Sequence, residues 1–139
     1  MEPQRLSPAG VAAPTGAYAH GIKAGGFVFV AGQVARGPDG QVVGVGDPEA
    51  QAVQVLENMQ AVLAAAGCTL RDVVKVTCFL TDLRHRERIG AVRRRYFGDH
   101  LPVSTTVEVS KLAERELLVE MDAIALMPER ATGVADDEV

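Results

Sequence analysis

A chain of 139 residues, 47% hydrophobic and 23% charged, has the composition of an ordinary globular protein and can bury a sizeable core in one domain. A net charge of −4, 4% aromatic residues and no Trp argue against a nucleic-acid partner, which calls for a basic stripe or stacking platforms. No apolar run is long enough to span a membrane, and the start, Met1-Glu2-Pro3-Gln4-Arg5, lacks a signal-peptide core, so no membrane partner and a cytoplasmic location are expected.

Residues 1–16 carry Pro3, Pro8, Gly10, Pro14 and Gly16 without a period, which predicts an irregular lead-in with room for one edge segment. Ala17 to Ala24 reads as a short strand and Gly25-Gly26 as a tight hairpin turn. Phe27 to Ala31 is rich in β-formers and reads as a buried strand. Gly32, where that strand ends, has two readings: a bulge or turn glycine, or a point where a ligand approaches the backbone. Pro38-Asp39-Gly40 signals a turn, and Gln41 to Val45 a short edge strand.

A helix is announced by Asp47 as N-cap, Pro48 at the first position and Glu49 at the positive end of the dipole. Ala52, Val55, Leu56, Met59, Val62, Leu63 and Ala66 form its apolar stripe, and Gly67 ends it. The length is about 19 residues, or about 28 Å. Asp72 to Leu80 returns to period two, with Val74, Val76, Cys78 and Leu80 on one side. Thr81-Asp82 caps a second helix from about Leu83 to Gly98, with apolar Leu83, Ile89, Val92, Tyr96 and Phe97 and an arginine-rich remainder. Those arginines read either as a solvated face with salt bridges to Glu87 and its neighbours, or as a source of one guanidinium for a cleft.

Pro102 to Val109 is the richest stretch. Alternation sets Val103, Thr105, Val107 and Val109 on one side and Ser104, Thr106 and Glu108 on the other. Leu117 to Leu126 alternates too and carries Glu120 and Asp122. Pairing of these two strands would gather three carboxylates and several hydroxyls on one area of sheet. The tail at 128–139 is acidic and small and reads as disordered.

Cys68 and Cys78 form no CxxC pair, and the His residues are not at metal-ligand spacing, so neither a metal nor a cofactor is expected. Cys78, in a strand pattern, reads as a buried thiol; Cys68, after Gly67, as an exposed one. The order β-β-(β)-α-β-α-β-β predicts an α+β domain whose two helices share one face of a mixed sheet. The other face is also apolar, and its simplest cover is another copy of the chain.

Several stretches in this order resemble the Rid family, the reactive intermediate deaminases also called YjgF or L-PSP. They are Gly16-Ala17-Tyr18, Phe29 to Gln33, Asn58-Met59 with Ala65-Ala66-Gly67, Val74 to Leu80, Asp82-Leu83, Pro102 to Val109, and Val119 to Ala125. The resemblance runs from about Gly16 to Leu126. It implies a chorismate-mutase-like (YjgF-type) fold, a homotrimer with a barrel-like centre, and clefts between subunits that take a small-molecule metabolite. It also implies hydrolysis of enamines and imines to 2-oxo acids and ammonia. The family's carboxylate-clamping Arg falls at Ser104, its frequent Cys at Thr106 and its cleft-lining Asn at Gly90. Tyr18, Gly32 and Glu120 are kept, and Glu120 matches the carboxylate that orients or activates water.

Three functions follow from different classes. The first is a hydrolase or deaminase of imine-type substrates other than the usual 2-imino acids. Glu120 is then the catalytic base, Ser104 and Thr106 are hydroxyl donors, and Gly32 gives a backbone amide beside Tyr18. Arg93, Arg94, Lys111 or Arg115 could replace the missing cation. The second is a non-catalytic ligand-binding or regulatory trimer. The third is an endoribonuclease or translation inhibitor, against which the acidic charge and the scattered His20, His85 and His100 count.

Overall fold

The computed structural model describes residues 2–129, so the expected tail at 128–139 lies almost wholly outside them. Six strands form one sheet in the order β1-β2-β3-β6-β4-β5. They are β1 (Gln4–Arg5), β2 (Gly21–Ala24), β3 (Phe27–Gln33), β4 (Val73–Leu80), β5 (Val103–Glu108) and β6 (Val119–Leu126). The β4–β5 pair is parallel and the other pairs are antiparallel, so the sheet is mixed.

Two α-helices, α1 (Pro48–Ala64) and α2 (Arg86–Phe97), cover one face. Asp47 caps α1 as its sequence demands, accepting from the backbone N–H groups of Glu49 and Ala50, both at 3.1 Å. Gly67, at φ 79°, then turns the chain out of the helix. The predicted stripe from Ala52 to Ala66 is buried throughout. It packs on Val28 and Val30 of β3, Val76 and Cys78 of β4, and Met121 and Ala123 of β6, all of them buried. Truncating a fully buried Leu56 in such a core costs about 2–5 kcal/mol.

Among the described residues, nothing covers the opposite face. Phe27, Phe29, Val107 and Leu126 are exposed there, and Phe79 and Ile124 are half-buried. The two helices on one face and the apolar second face therefore stand as the alternation implied.

Several expectations are corrected. β5 and β6 do not pair, because β4 lies between them. Residues directly opposite in a ladder share a face. Ser104, Thr106 and Glu108 lie opposite the buried Val76, Cys78 and Leu80, on the helix side of the sheet. Glu120 and Asp122 lie opposite Phe79 and Thr77, on the uncovered side. The three carboxylates thus never gather on one area, and Glu108 instead accepts from the backbone N–H of Leu83 at 2.9 Å. Edge position also leaves Val103 and Val107 at 68% and 39% exposure, so β5 does not wall the chain's own core.

Other departures are local. Ala17 to His20 is not strand; it belongs to the lead-in, and only Gln4–Arg5 of that lead-in joins the sheet. Gln41 to Val45 contributes a single bridge, Arg36 to Val42. A register shift between Val73 and Lys75 turns Val73 inward and leaves Val74 exposed. The second helix begins as a short 3-10 turn, Leu83–His85, so α2 proper is shorter than its apolar pattern suggested. Cys68 is buried rather than exposed, with its Sγ 3.7 Å from Met127 Sδ.

Candidate functional site

Tyr18, Gly32 and Glu120 come together at one cavity of about 360 Å³, with His20 and Asn58 also on its wall. It opens where β3 leaves β6, across a register shift between Val30 and Gln33. Gly32 lies inside that shift, with φ outside the left-handed region, so it is a bulge glycine. It is also a point of close approach, but by the chain's own side chain. A Cβ at residue 32 would lie 2.7 Å from Glu120 Cδ and 3.0 Å from Cγ, and would overlap Oε2. The missing side chain lets the Glu120 carboxylate rest on the backbone.

That carboxylate is half-buried, and its pKa is raised, first by desolvation and then by the charge of Asp122 two residues along the same face. It has no hydrogen-bond partner among the described residues' side chains that would hold it ionised. Arg36 also reaches the cavity, but it is already paired with Glu114.

The lead-in that closes the cavity is pinned by His20. Its Nε2 lies 2.7 Å from the Ala12 carbonyl, and its Nδ1 lies 3.2 Å from the Gln33 amide nitrogen. That amide also donates to the Ala31 carbonyl at 3.1 Å, so Nδ1 is the acceptor and Nε2 carries the proton. Tyr18 stacks edge-on against the same ring, with centroids 5.9 Å apart.

Three buried polar side chains, Gln33, Gln51 and Asn58, frame this end of the molecule. Asn58 donates to the carbonyls of Val34 and Arg36 at 3.1 and 3.0 Å. Gln51 donates to Gly44 and Glu116 and accepts from Leu118. Sequence reasoning gave none of them such a role. The signal was there: two amides seven residues apart interrupt an otherwise apolar helix face.

Ser104 is elsewhere. It lines a second cavity of about 280 Å³ with Gly90, Arg93, Arg94 and Phe97 of α2. Thr106 is half-buried on the same side and lines neither cavity. Lys111 and Arg115 line neither as well. Within one chain, then, the five site residues fall into two groups, and the ladders turn Ser104 and Thr106 to the side of the sheet away from Glu120.

The sulfur atoms play no part in either group. Burial pushes the Cys78 thiol up to about 11, against the pull of Arg93, which leaves it unreactive near neutral pH. Among the described residues, no three His, Cys, Asp or Glu side chains are grouped to hold a metal ion, and no helix is long and apolar enough to cross a membrane.

The family model described as Endoribonuclease L-PSP matches residues 10–127 of this chain. The chain belongs to this family, also known as Rid or YjgF. A RutC family protein from Pyrococcus abyssi is 44% identical over 112 residues, covering 81% of this chain and 87% of that one. A Salmonella typhimurium protein named 2-iminobutanoate/2-iminopropanoate deaminase is 35% identical over 117 residues, covering 82% and 90%. The crystal structure of Escherichia coli TdcF with bound serine superposes with a TM-score of 0.83 at 30% identity, covering 90% of this chain and 99% of that one. The mixed sheet with two helices on one face is therefore the Rid fold.

Proposed function

We propose that this Rid protein hydrolyses a small imine or enamine in a cleft completed between copies of the chain, as a homotrimer. The observation that carries the reading is the Glu120 carboxylate. It is half-buried over Gly32 beside a cavity, with its proton affinity raised by burial. Such a group is a stronger base than an ordinary exposed carboxylate and suits a general base.

The chemistry balances with water alone. Glu120 takes a proton from the water as its oxygen bonds to the imine carbon, the C=N π electrons move to nitrogen, and Glu120 passes that proton to the nitrogen. Glu120 then takes the hydroxyl proton of the resulting carbinolamine as C=O forms and the C–N bond breaks. That second proton leaves on the departing ammonia. Tyr18 and the Gly32 backbone amide would orient the substrate from one copy, and Ser104 and Thr106 would donate hydroxyl hydrogen bonds from its neighbour.

Two facts support assembly between copies. The site residues fall into two incomplete groups in one chain, and the uncovered sheet face exposes Phe27, Phe29 and Leu126 at 40%, 44% and 50%. The substrate class draws on the relatives. One bears the name of an imino-acid deaminase and another was solved with serine, so each points to a small acid with nitrogen on the adjoining carbon.

Ser104 stands where the resemblance places the clamping Arg. Loss of such a clamp typically costs about 2–5 kcal/mol of binding, so imino acids anchored in the usual way are expected to be poor substrates. The test is ammonia release across a panel of imines and enamines, with Glu120→Gln as the control that keeps the fold. Release that Glu120→Gln abolishes supports the reading. No release from any compound by the wild-type protein overturns it in favour of a ligand-binding trimer, which the Ser104 replacement also suits. The endoribonuclease reading is third, because His20, His85 and His100 sit before β2, before α2 and after α2 and form no pair in the Glu120 cavity.

A further inference from the structure

The cavity at Ser104 lies between the C-terminal half of α2 and the start of β5. Helical spacing puts Gly90, Arg93, Arg94 and Phe97 on one face of α2, and that face lines it. Leu101 and Pro102 add apolar wall, and Ser104 adds one hydroxyl. A Cβ at Gly90 would sit 3.7 Å from Arg94 Nη1, so the guanidinium folds back over the bare glycine. Arg93 Cζ lies 6.0 Å from the centroid of the buried Phe97 ring, at cation–π distance.

Arginines without an ion pair are common among the described residues, Arg5, Arg86, Arg95 and Arg115 included, but here two of them share one cavity. Arg36, Arg71, Arg84 and Arg88 each reach a carboxylate, at Glu114, Asp99, Asp82 and Glu49. Among the described residues Arg93 and Arg94 form no ion pair. Neighbouring guanidinium groups on a small cavity repel each other, and an anion between them removes that repulsion. The negative end of the α2 dipole helps to keep Arg94 there in the meantime.

We infer that Arg93 and Arg94 are the residues of this chain that grip the carboxylate of its ligand. A planar guanidinium matches a carboxylate in a bidentate fork, which a single serine hydroxyl cannot do. The acid group is then anchored from α2 rather than from β5, with the ligand's apolar part on Phe97, Leu101 and Pro102. The ligand class is a small organic acid of one negative charge. This inference rests on the reading above, that the Ser104 cavity is part of the shared cleft.

The test is calorimetric titration of the full-length protein with 2-oxobutanoate, a stable acid with C=O in place of C=N, and with 2-oxobutanamide as its neutral counterpart. Arg93→Gln and Arg94→Gln are each expected to weaken binding of the acid at least tenfold, the double variant further, and Arg94→Lys less than Arg94→Gln. Binding of the amide is expected to be unchanged throughout, and circular dichroism checks the fold. Acid binding that is equal in the double variant and the wild type, or absent in the wild type, overturns the inference. Arginine-dependent acid binding without ammonia release from any imine sinks the hydrolase reading and leaves this one standing. Ammonia release that the double variant retains on acidic imines does the reverse.

Discussion

The carboxylate of Glu120 occupies the space in which a side chain at residue 32 would begin. The glycine and the glutamate are therefore one unit: the bulge in β3 supplies the gap, and β6 supplies the acid that fills it. Gly32→Ala is expected to displace the carboxylate and cost about 1–3 kcal/mol of stability, as overpacking does. In a Glu120→Ala background the same change should cost at least about 1 kcal/mol less. A double-mutant cycle by urea unfolding measures the difference, and additive effects would refute the coupling.

The raised pKa of Glu120 has a definite sign in stability. A carboxyl whose folded pKa lies above its ordinary value of 4.5 binds its proton more tightly in the native state than in the unfolded one. Its contribution is most favourable below the unfolded pKa and is lost as pH rises through the folded pKa. Glu120→Gln should therefore unfold at a higher temperature than the wild type at pH 7, with the gap closing below about pH 4.5. Thermal melts across that range check it. Activity should show the opposite trend, falling as acid protonates the base.

His20 links the lead-in to β3 through Ala12 and Gln33. His20→Ala removes both hydrogen bonds and the ring against Tyr18. Global stability is expected to fall by about 1–3 kcal/mol, and hydrogen exchange at residues 11–20 to rise by more than that loss explains. Unchanged exchange in that segment would show that the ring is not what holds it.

Gln51 is fully buried and satisfies three backbone groups of two loops. Gln51→Leu matches its size but strands the Gly44 and Glu116 carbonyls and the Leu118 N–H. A loss of about 2–4 kcal/mol in chemical denaturation is expected, although leucine is the better helix former. A neutral result would mean that water replaces the amide.

The uncovered sheet face can be tested directly. Phe29 is 44% exposed there, in β3. If copies of the chain meet on this face, Phe29→Glu places charges at the junction and should give a monomer by sedimentation. The wild type should sediment as a trimer, and a wild-type monomer would remove the proposed cleft.

Much of this was legible in the residues. The Asp47-Pro48-Glu49 cap, the stripe from Ala52 to Ala66, the alternation of β4 from Val76 onward and that of β6 report local energetics, and each forms as read. The face of β5 was not legible, because period two separates two sides but cannot say which neighbour lies beside the strand. Insertion of β4 between β5 and β6 sent Ser104 and Glu120 to opposite sides. Val74 was misread for a related reason, since a bulge shifts the alternation by one residue without any change of composition.

The sequence by itself determined the two helices, the four longer strands, the apolar second face and the residues that carry the family resemblance, since these depend on side-chain type and spacing along the chain. The tertiary structure alone decided which residues share a cavity. Strand order, the close fit of Glu120 on Gly32, and the fold of Arg94 over Gly90 all depend on contacts between distant segments, and no local period encodes them.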